Sequence, residues 1–216
     1  MGIAEINDGT NTITIKANLF FYGNAATEEL SKQIADDINL FWNIIDGHAM
    51  IVGRGYGFIL NVSGFYKPSL SQNDVIENTN RLNNFFRIEE KASGNISFVD
   101  GVGSNTGYFQ LDNLLNNSST AAHEFGHTLG LEHPEELDIR GQGTPGIMYP
   151  RGTIVDPHFQ YDPSVPAGVK GGTINPYYRK VLQQDINDLQ LEKLRFANNA
   201  AVIGAFTNVW HWAHDK

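Results

Sequence analysis

Eleven residues near the middle of the chain restrict its fold more than any other stretch: His123-Glu124-Phe125-Gly126-His127-Thr128-Leu129-Gly130-Leu131-Glu132-His133. On a helix, His123 and His127 stand one turn apart and project from the same face. Gly130 is free to adopt a left-handed conformation, ending that helix and turning the chain so that His133 reaches the same point. Three neutral imidazoles suit zinc, which is commonly four-coordinate, and leave its fourth position open as in a catalytic site. Glu124 lies off the ligand register, beside His123, where it would reach a zinc-bound water. Zinc lowers the pKa of such water to about 7, so a carboxylate can take its proton and pass it to a leaving amine. The chemistry expected is peptide-bond hydrolysis without a covalent intermediate.

The rest of the chain reads as a folded frame for that segment. Thr27 can cap a long helix with Glu28 and Glu29 in its first turn, Leu30, Ile34, Ile38, Phe41, Trp42 and Ile45 on one face, and Gly47 past its end. Residues 12–15 alternate as a strand, with residues 19–22 close behind, and residues 57–62, 95–99 and 108–111 read as three more. The polar stretch 67–87 gives no clear pattern. A helix is expected from Ser118 or Ser119 to about Leu131, then a Gly/Pro-rich loop over 133–176 and a helix over much of 183–194. No internal repeat is visible.

Composition narrows the classes further. With 216 residues and 41% hydrophobic content the chain can bury a full core. A net charge of −9 and the absence of any basic stripe argue against a nucleic-acid partner. Without cysteine, disulfides, thiolate metal sites and thiol nucleophiles are excluded. Residues 1–6 carry no signal-peptide pattern, and the most apolar stretch, 200–209, is too short and interrupted to span a bilayer. These features leave open a cytoplasmic protein, one exported by a signal-less route, or a piece excised from a longer chain; action outside the cell is the expectation. Asn-x-Ser triplets begin at Asn61, Asn95, Asn116 and Asn117, and matter only in a host that glycosylates.

The eleven residues match the HExxHxxGxxH zinc signature of the metzincin metallopeptidases. Gly146-Ile147-Met148-Tyr149-Pro150 resembles the methionine turn that this clan places beneath its metal, and the two motifs together are most similar to the matrixins. Residues 182–190 are similar to the matrixin C-terminal helix, whose equivalent of Asp185 hydrogen-bonds the backbone of that turn. The resemblance implies an α+β, zincin-like domain: a twisted mixed sheet, two long helices over the active-site cleft, and a loop-rich C-terminal lobe with one helix. It implies a single domain over 1–216, with an upper lobe to about 132, a lower lobe over 133–195 and an extension over 196–216. It implies one catalytic zinc on His123, His127 and His133, Glu124 as base, Met148 as the floor of the site and Asp185 as its support. By the clan's habit a strand over 96–100 or 108–112 would receive an extended protein or peptide substrate by strand addition.

The sequence also departs from the family. Pro134 after the third histidine is similar to the serralysins, but Pro150 stands where serralysins and astacins place a tyrosine ligand. Gly152 stands where matrixins have the tyrosine of their specificity-pocket wall, and Gln184 replaces an acidic residue. The loop over 151–176 is longer than in matrixins, and Tyr149, His158 and Tyr161 are candidates to line the substrate cleft. A calcium site built on Asp100 and loop carbonyls is a second metal the pattern allows. The glycine-rich surroundings resemble peptidase domains at the ends of bacterial Rhs-type toxins, and with them an inhibitor, propeptide or immunity protein as partner. Two rivals to a zinc endopeptidase stay open: hydrolysis of a non-peptide amide such as a cell-wall cross-link, and a non-catalytic zinc module that binds peptides.

Overall fold

A computed structural model describes residues 1–116 and 118–214; Asn117, which falls in two of the Asn-x-Ser triplets, and the last two residues of the 196–216 extension lie outside the described residues. The fold is mixed α+β. Its centre is strand β2 (Thr12–Tyr22), paired in parallel with β4 (Arg54–Tyr66) along one side. On the other side its first half pairs antiparallel with β1 (Gly2–Asn7) and its second half in parallel with β5 (Asn83–Glu89). The sheet continues from β4 to the antiparallel β3 (His48–Ile51), and from β5 to β7 (Thr106–Gln110) and the antiparallel edge strand β6 (Phe98–Val99). The two strands expected over 12–22 are thus one. Lys16 and Asn18, which look like a break, occupy the alternate face of the pleat, Lys16 paired to Glu5 at 2.5 Å and Asn18 to Asn83 at 3.3 Å.

Helix α1 (Glu28–Asn43) forms for the reasons its sequence gives. Thr27 Oγ1 accepts from Leu30 N at 3.1 Å, and Leu30, Ile34, Ile38 and Trp42 are buried against the sheet. Its close approach to β4 depends on Gly64, where a Cβ would sit 2.0 Å from Ser31 O. Two asparagines on α1 then complete the outer edge of β4. Asn43 donates to Leu60 O and accepts from Leu60 N, both at 2.8 Å, and Asn39 does the same with Val62 O and N at 2.8 Å. Since β3 pairs only as far as Gly57, these side chains satisfy strand groups that would otherwise lack partners.

The open stretch 67–87 holds a short helix α2 (Gln72–Ile76), closed by a Ser71–Asp74 capping box, and the start of β5. Helix α3 (Thr120–Thr128) lies against α1, with Trp42 Nε1 donating to Ala122 O at 3.1 Å. Two long helices were expected; α1 has 16 residues and α3 only 9, because Leu129 caps α3 and Gly130 leaves it at φ +104°. The expected helix over 183–194 is likewise shorter. Helix α4 (Gln183–Asp188) gives way at Gln190, left-handed at φ 48°, to a single 3-10 turn. Residues 133–182 are loop-rich and gather a small core of Ile139, Val155 and Ile174.

Within the segment after 196, read as an extension, four residues join the sheet. Strand β8 (Ala200–Ile203) pairs with β1, and Ala205 N donates to Gly103 O at 2.7 Å. Beyond it Asn105 Oδ1 accepts from the amides of Thr207 and Asn208, Trp210 stacks on Tyr22 at 4.7 Å, and His214 stacks on Tyr108 at 4.1 Å. No helix among the described residues is long and apolar enough to cross a membrane.

Candidate metal centre

Helix α3 is buried almost along its whole length and presents His123 and His127 from one face. Behind its end, Gly130 N donates to His127 O and Leu131 N to Gly126 O, both at 3.0 Å, so that the reversal is held by the last carbonyls of the helix. The reversal delivers His133. Its Nε2 lies 3.1 Å from His123 Nε2 and 3.0 Å from His127 Nε2, and the ligand atoms of the three rings all fall within 4.8 Å of one another.

The outer nitrogens explain why these atoms face each other. His123 Nδ1 donates to Ile147 O and His127 Nδ1 to Leu131 O, both at 2.7 Å. A carbonyl can only accept, so in each neutral ring the proton sits on Nδ1 and the lone pair on Nε2. Burial pushes all three imidazoles below their ordinary pKa, furthest at His123, where the Arg179 cation adds to the effect. Convergent lone pairs repel unless a cation stands between them. Tetrahedral zinc with bonds of about 2.05 Å would set its ligand nitrogens about 3.3 Å apart, close to the spacing found. The three residues therefore fit zinc.

The floor of the site is built by the loop at 146–150. Met148 is buried against Gly126, where a Cβ would lie 2.4 Å from its Sδ, so only glycine lets helix and loop close to this distance. Asp185 holds the loop from α4, accepting from the amides of Leu182 (2.7 Å), Ile147 and Met148. Burial pushes its carboxyl up to about 6, against the downward pull of those amides.

A cleft of about 220 Å³ opens beside His123 and His133, lined by Ile96, Ser97, Thr120, Glu124, Arg151 and Arg179 among others. Ile96 and Ser97 lead into β6, so the 96–99 segment rather than 108–112 forms its rim. Burial pushes the Glu124 carboxyl up to about 8, opposed by Arg179 and Arg151. Arg179 is 3% exposed. Its Nε donates to Ser119 Oγ at 3.1 Å and its Nη1 to Tyr149 O at 2.9 Å. Nη1 also lies 2.9 Å from His123 Nδ1, a close approach and not a hydrogen bond, since Nδ1 already donates to Ile147.

Sequence reading missed Arg179. It sits beside the exposed Lys180 at the end of a Gly/Pro-rich loop, and no local pattern sets it apart. Of the residues expected to line the cleft, Tyr149 turns its ring toward the Ile139–Val155–Ile174 cluster and offers only its carbonyl to Arg179. His158 is exposed against Phe159, Tyr161 is half exposed, and neither lines the cleft at the histidines. Nothing supports the calcium site that the pattern allows at Asp100, whose Oδ2 takes the Thr106 hydroxyl at 2.5 Å and His211 Nε2 at 2.9 Å. Among the described residues, His123, His127 and His133 form the one cluster of metal-ligating side chains.

No protein-family model matches the chain, and no curated protein matches it in sequence. Among solved structures, it is similar to one titled "Structure of myroilysin", at 10% identity and a TM-score of 0.41, over 89% of this chain and 100% of that one. An overlap this loose assigns no chemistry, which rests on the site itself.

Proposed function

We propose that the chain is a zinc-dependent endopeptidase of metzincin type, with His123, His127 and His133 as metal ligands and Glu124 as general base and acid. The observation that carries the reading is the convergence of three Nε2 atoms, two of them held as lone-pair donors by backbone carbonyls, beside a cleft that Glu124 lines. Bound there, zinc would supply Lewis acidity, polarising a substrate carbonyl and lowering the pKa of water. Glu124, a buried carboxyl with a raised pKa, takes the proton of the attacking water and returns it to the leaving amine. Ile147 and Leu131 keep the rings aimed through their carbonyls, Met148 fills the space under α3, and Asp185 fixes the loop that carries both Ile147 and Met148. An extended substrate lies along the rim at 96–99, where β6 has a strand partner on one side only among the described residues.

The test is digestion of a diverse peptide library by zinc-loaded protein, read by mass spectrometry, with Glu124→Gln as the blank. Cuts made by the wild type alone are expected. A folded, zinc-loaded protein that cuts nothing would overturn the reading and leave a non-peptide amide hydrolase or a peptide-binding module.

A further inference from the structure

The cleft at Glu124 carries a charge that the peptide-cleaving chemistry does not require. Arg179 is buried, yet no ion pair joins it to a carboxylate among the described residues; its bonds are to neutral acceptors, Ser119 Oγ and Tyr149 O. Bracing α3 against the 146–150 loop in this way needs donors, not a cation. Its Nη2 donates to no described residue, and the side chain lines the cleft. Arg151 lines the same cleft from the opposite end of the loop, exposed, with one Nη2 bond to Asn113 Oδ1 at 2.7 Å. Glu124 is the one carboxyl that faces both guanidinium groups, so the cleft holds one cation more than it can pair, and a planar fork with a free nitrogen is suited to a carboxylate.

The place of the cleft relative to the reaction decides which part of the substrate meets these groups. Glu124 hands its proton to the leaving amine, so the residue that bears that amine lies against Glu124, and its side chain enters the cleft that Glu124 lines. Two guanidinium groups face one carboxyl there.

Building on the peptidase reading, we propose that this cleft is a carboxylate-binding subsite, in which Arg179 and Arg151 hold an acidic group on the residue that follows the scissile bond. Cleavage is directed before Asp or Glu, in contrast to the large apolar residues that the matrixin resemblance would imply. The shared chemistry is a carboxylate, and its two sources are an acidic side chain within a chain and a free C-terminus one residue beyond the cut.

The experiment pairs cleavage with binding. Peptides blocked at both ends and differing only in Asp, Asn or Leu at one central position are offered to zinc-loaded wild type, together with a Leu peptide whose free carboxylate ends one residue past the expected cut. The same peptides, fluorescently labelled, are titrated into zinc-loaded Glu124→Gln protein by anisotropy. Charge-assisted hydrogen bonding predicts that Asp is favoured over Asn by about tenfold or more in both assays. Arg151→Gln, an exposed substitution that leaves the fold intact, should shrink that preference, and Arg179→Gln should abolish it. Preference for the free C-terminus over internal Asp would assign the cleft to an exopeptidase and overturn the side-chain form of the proposal. Cleavage and binding indifferent to Asp, Asn and Leu would overturn it altogether while leaving the peptidase reading standing. Selective binding of Asp without any cleavage would overturn the peptidase reading and leave the subsite.

Discussion

Asn39→Asp changes one atom of the pairing between α1 and β4 and reverses its polarity. In the wild type the amide nitrogen donates to Val62 O and the amide oxygen accepts from Val62 N, both at 2.8 Å. The carboxylate keeps the second bond but sets an anionic oxygen against the carbonyl. The lost bond costs about 1 kcal/mol, and facing a half-buried anion with a carbonyl dipole adds about as much, for ~2 kcal/mol at pH 8. That energy raises the folded-state pKa of the new carboxyl by about 1.5 units, from near 4 to near 5.5. Because the folded state then binds the proton more tightly than the unfolded chain, the penalty is full above about 5.5 and fades as pH falls toward 4, where the neutral acid can again donate to Val62 O. Urea unfolding followed by far-UV circular dichroism from pH 4.5 to 8, with EDTA throughout, gives the difference between variant and wild type. Asn39→Ala serves as control, with a loss that does not vary with pH. A penalty for Asn39→Asp that is flat in pH, that grows as pH falls, or that stays below about 0.5 kcal/mol at pH 8 would refute the claim that this side chain stands in for a neighbouring strand.

Three further outcomes are expected. Trp42→Phe removes the bond to Ala122 O and leaves a small void under α3; at about 1 kcal/mol for each, chemical denaturation should show a loss of ~2 kcal/mol, with zinc affinity nearly unchanged because the rings are aimed by Ile147 and Leu131. Zinc at about 100 times its Kd should stabilise the folded protein by ~2.7 kcal/mol, a rise in Tm that EDTA reverses, magnesium does not restore and His133→Ala abolishes. Asp185, whose carboxyl is raised to about 6 by burial, favours the protonated folded state. Measured in EDTA, wild-type stability relative to Asp185→Asn should therefore fall as pH rises from 4 to 6 and level off above, and a rise over that interval would contradict the burial argument.

What could be read from the sequence was what local chemistry encodes. The Thr27 cap and the four-residue recurrence of Leu30, Ile34, Ile38 and Trp42 fix α1, and the spacing from His123 to His133, with Gly130 between, anticipates how the rings converge. Elements held by distant partners were hidden. Strand β1 buries only the small Gly2 and Ala4, and its partner β8 lies nearly two hundred residues away, so neither shows a strong alternation of its own. Helix lengths were overestimated at both ends of the site: α3 stops at Thr128, ahead of the turn expected at Gly130, and α4 stops at Asp188, ahead of the left-handed Gln190. Arg179 was illegible for a similar reason: its meaning comes from Ser119, Tyr149 and Glu124, which the fold brings to it from other elements. Tyr149, His158 and Tyr161 were chosen because their loop is long; of the three, Tyr149 packs on the small core that the loop gathers.

The backbone bond from Gly103 N to His127 O, continued by Ala205 N to Gly103 O, has a consequence for how the molecule is made. All three histidines have been translated once His133 is added. The carbonyl of Ile147 that fixes the tautomer of His123, the carboxylate of Asp185 and the brace at Ala205 are translated later. A chain still on the ribosome therefore carries all three metal ligands, and the Leu131 carbonyl that aims His127, before it carries what orients His123. The centre is completed from its C-terminal side, and a chain cut short before Ala205 would lack the last brace behind His127.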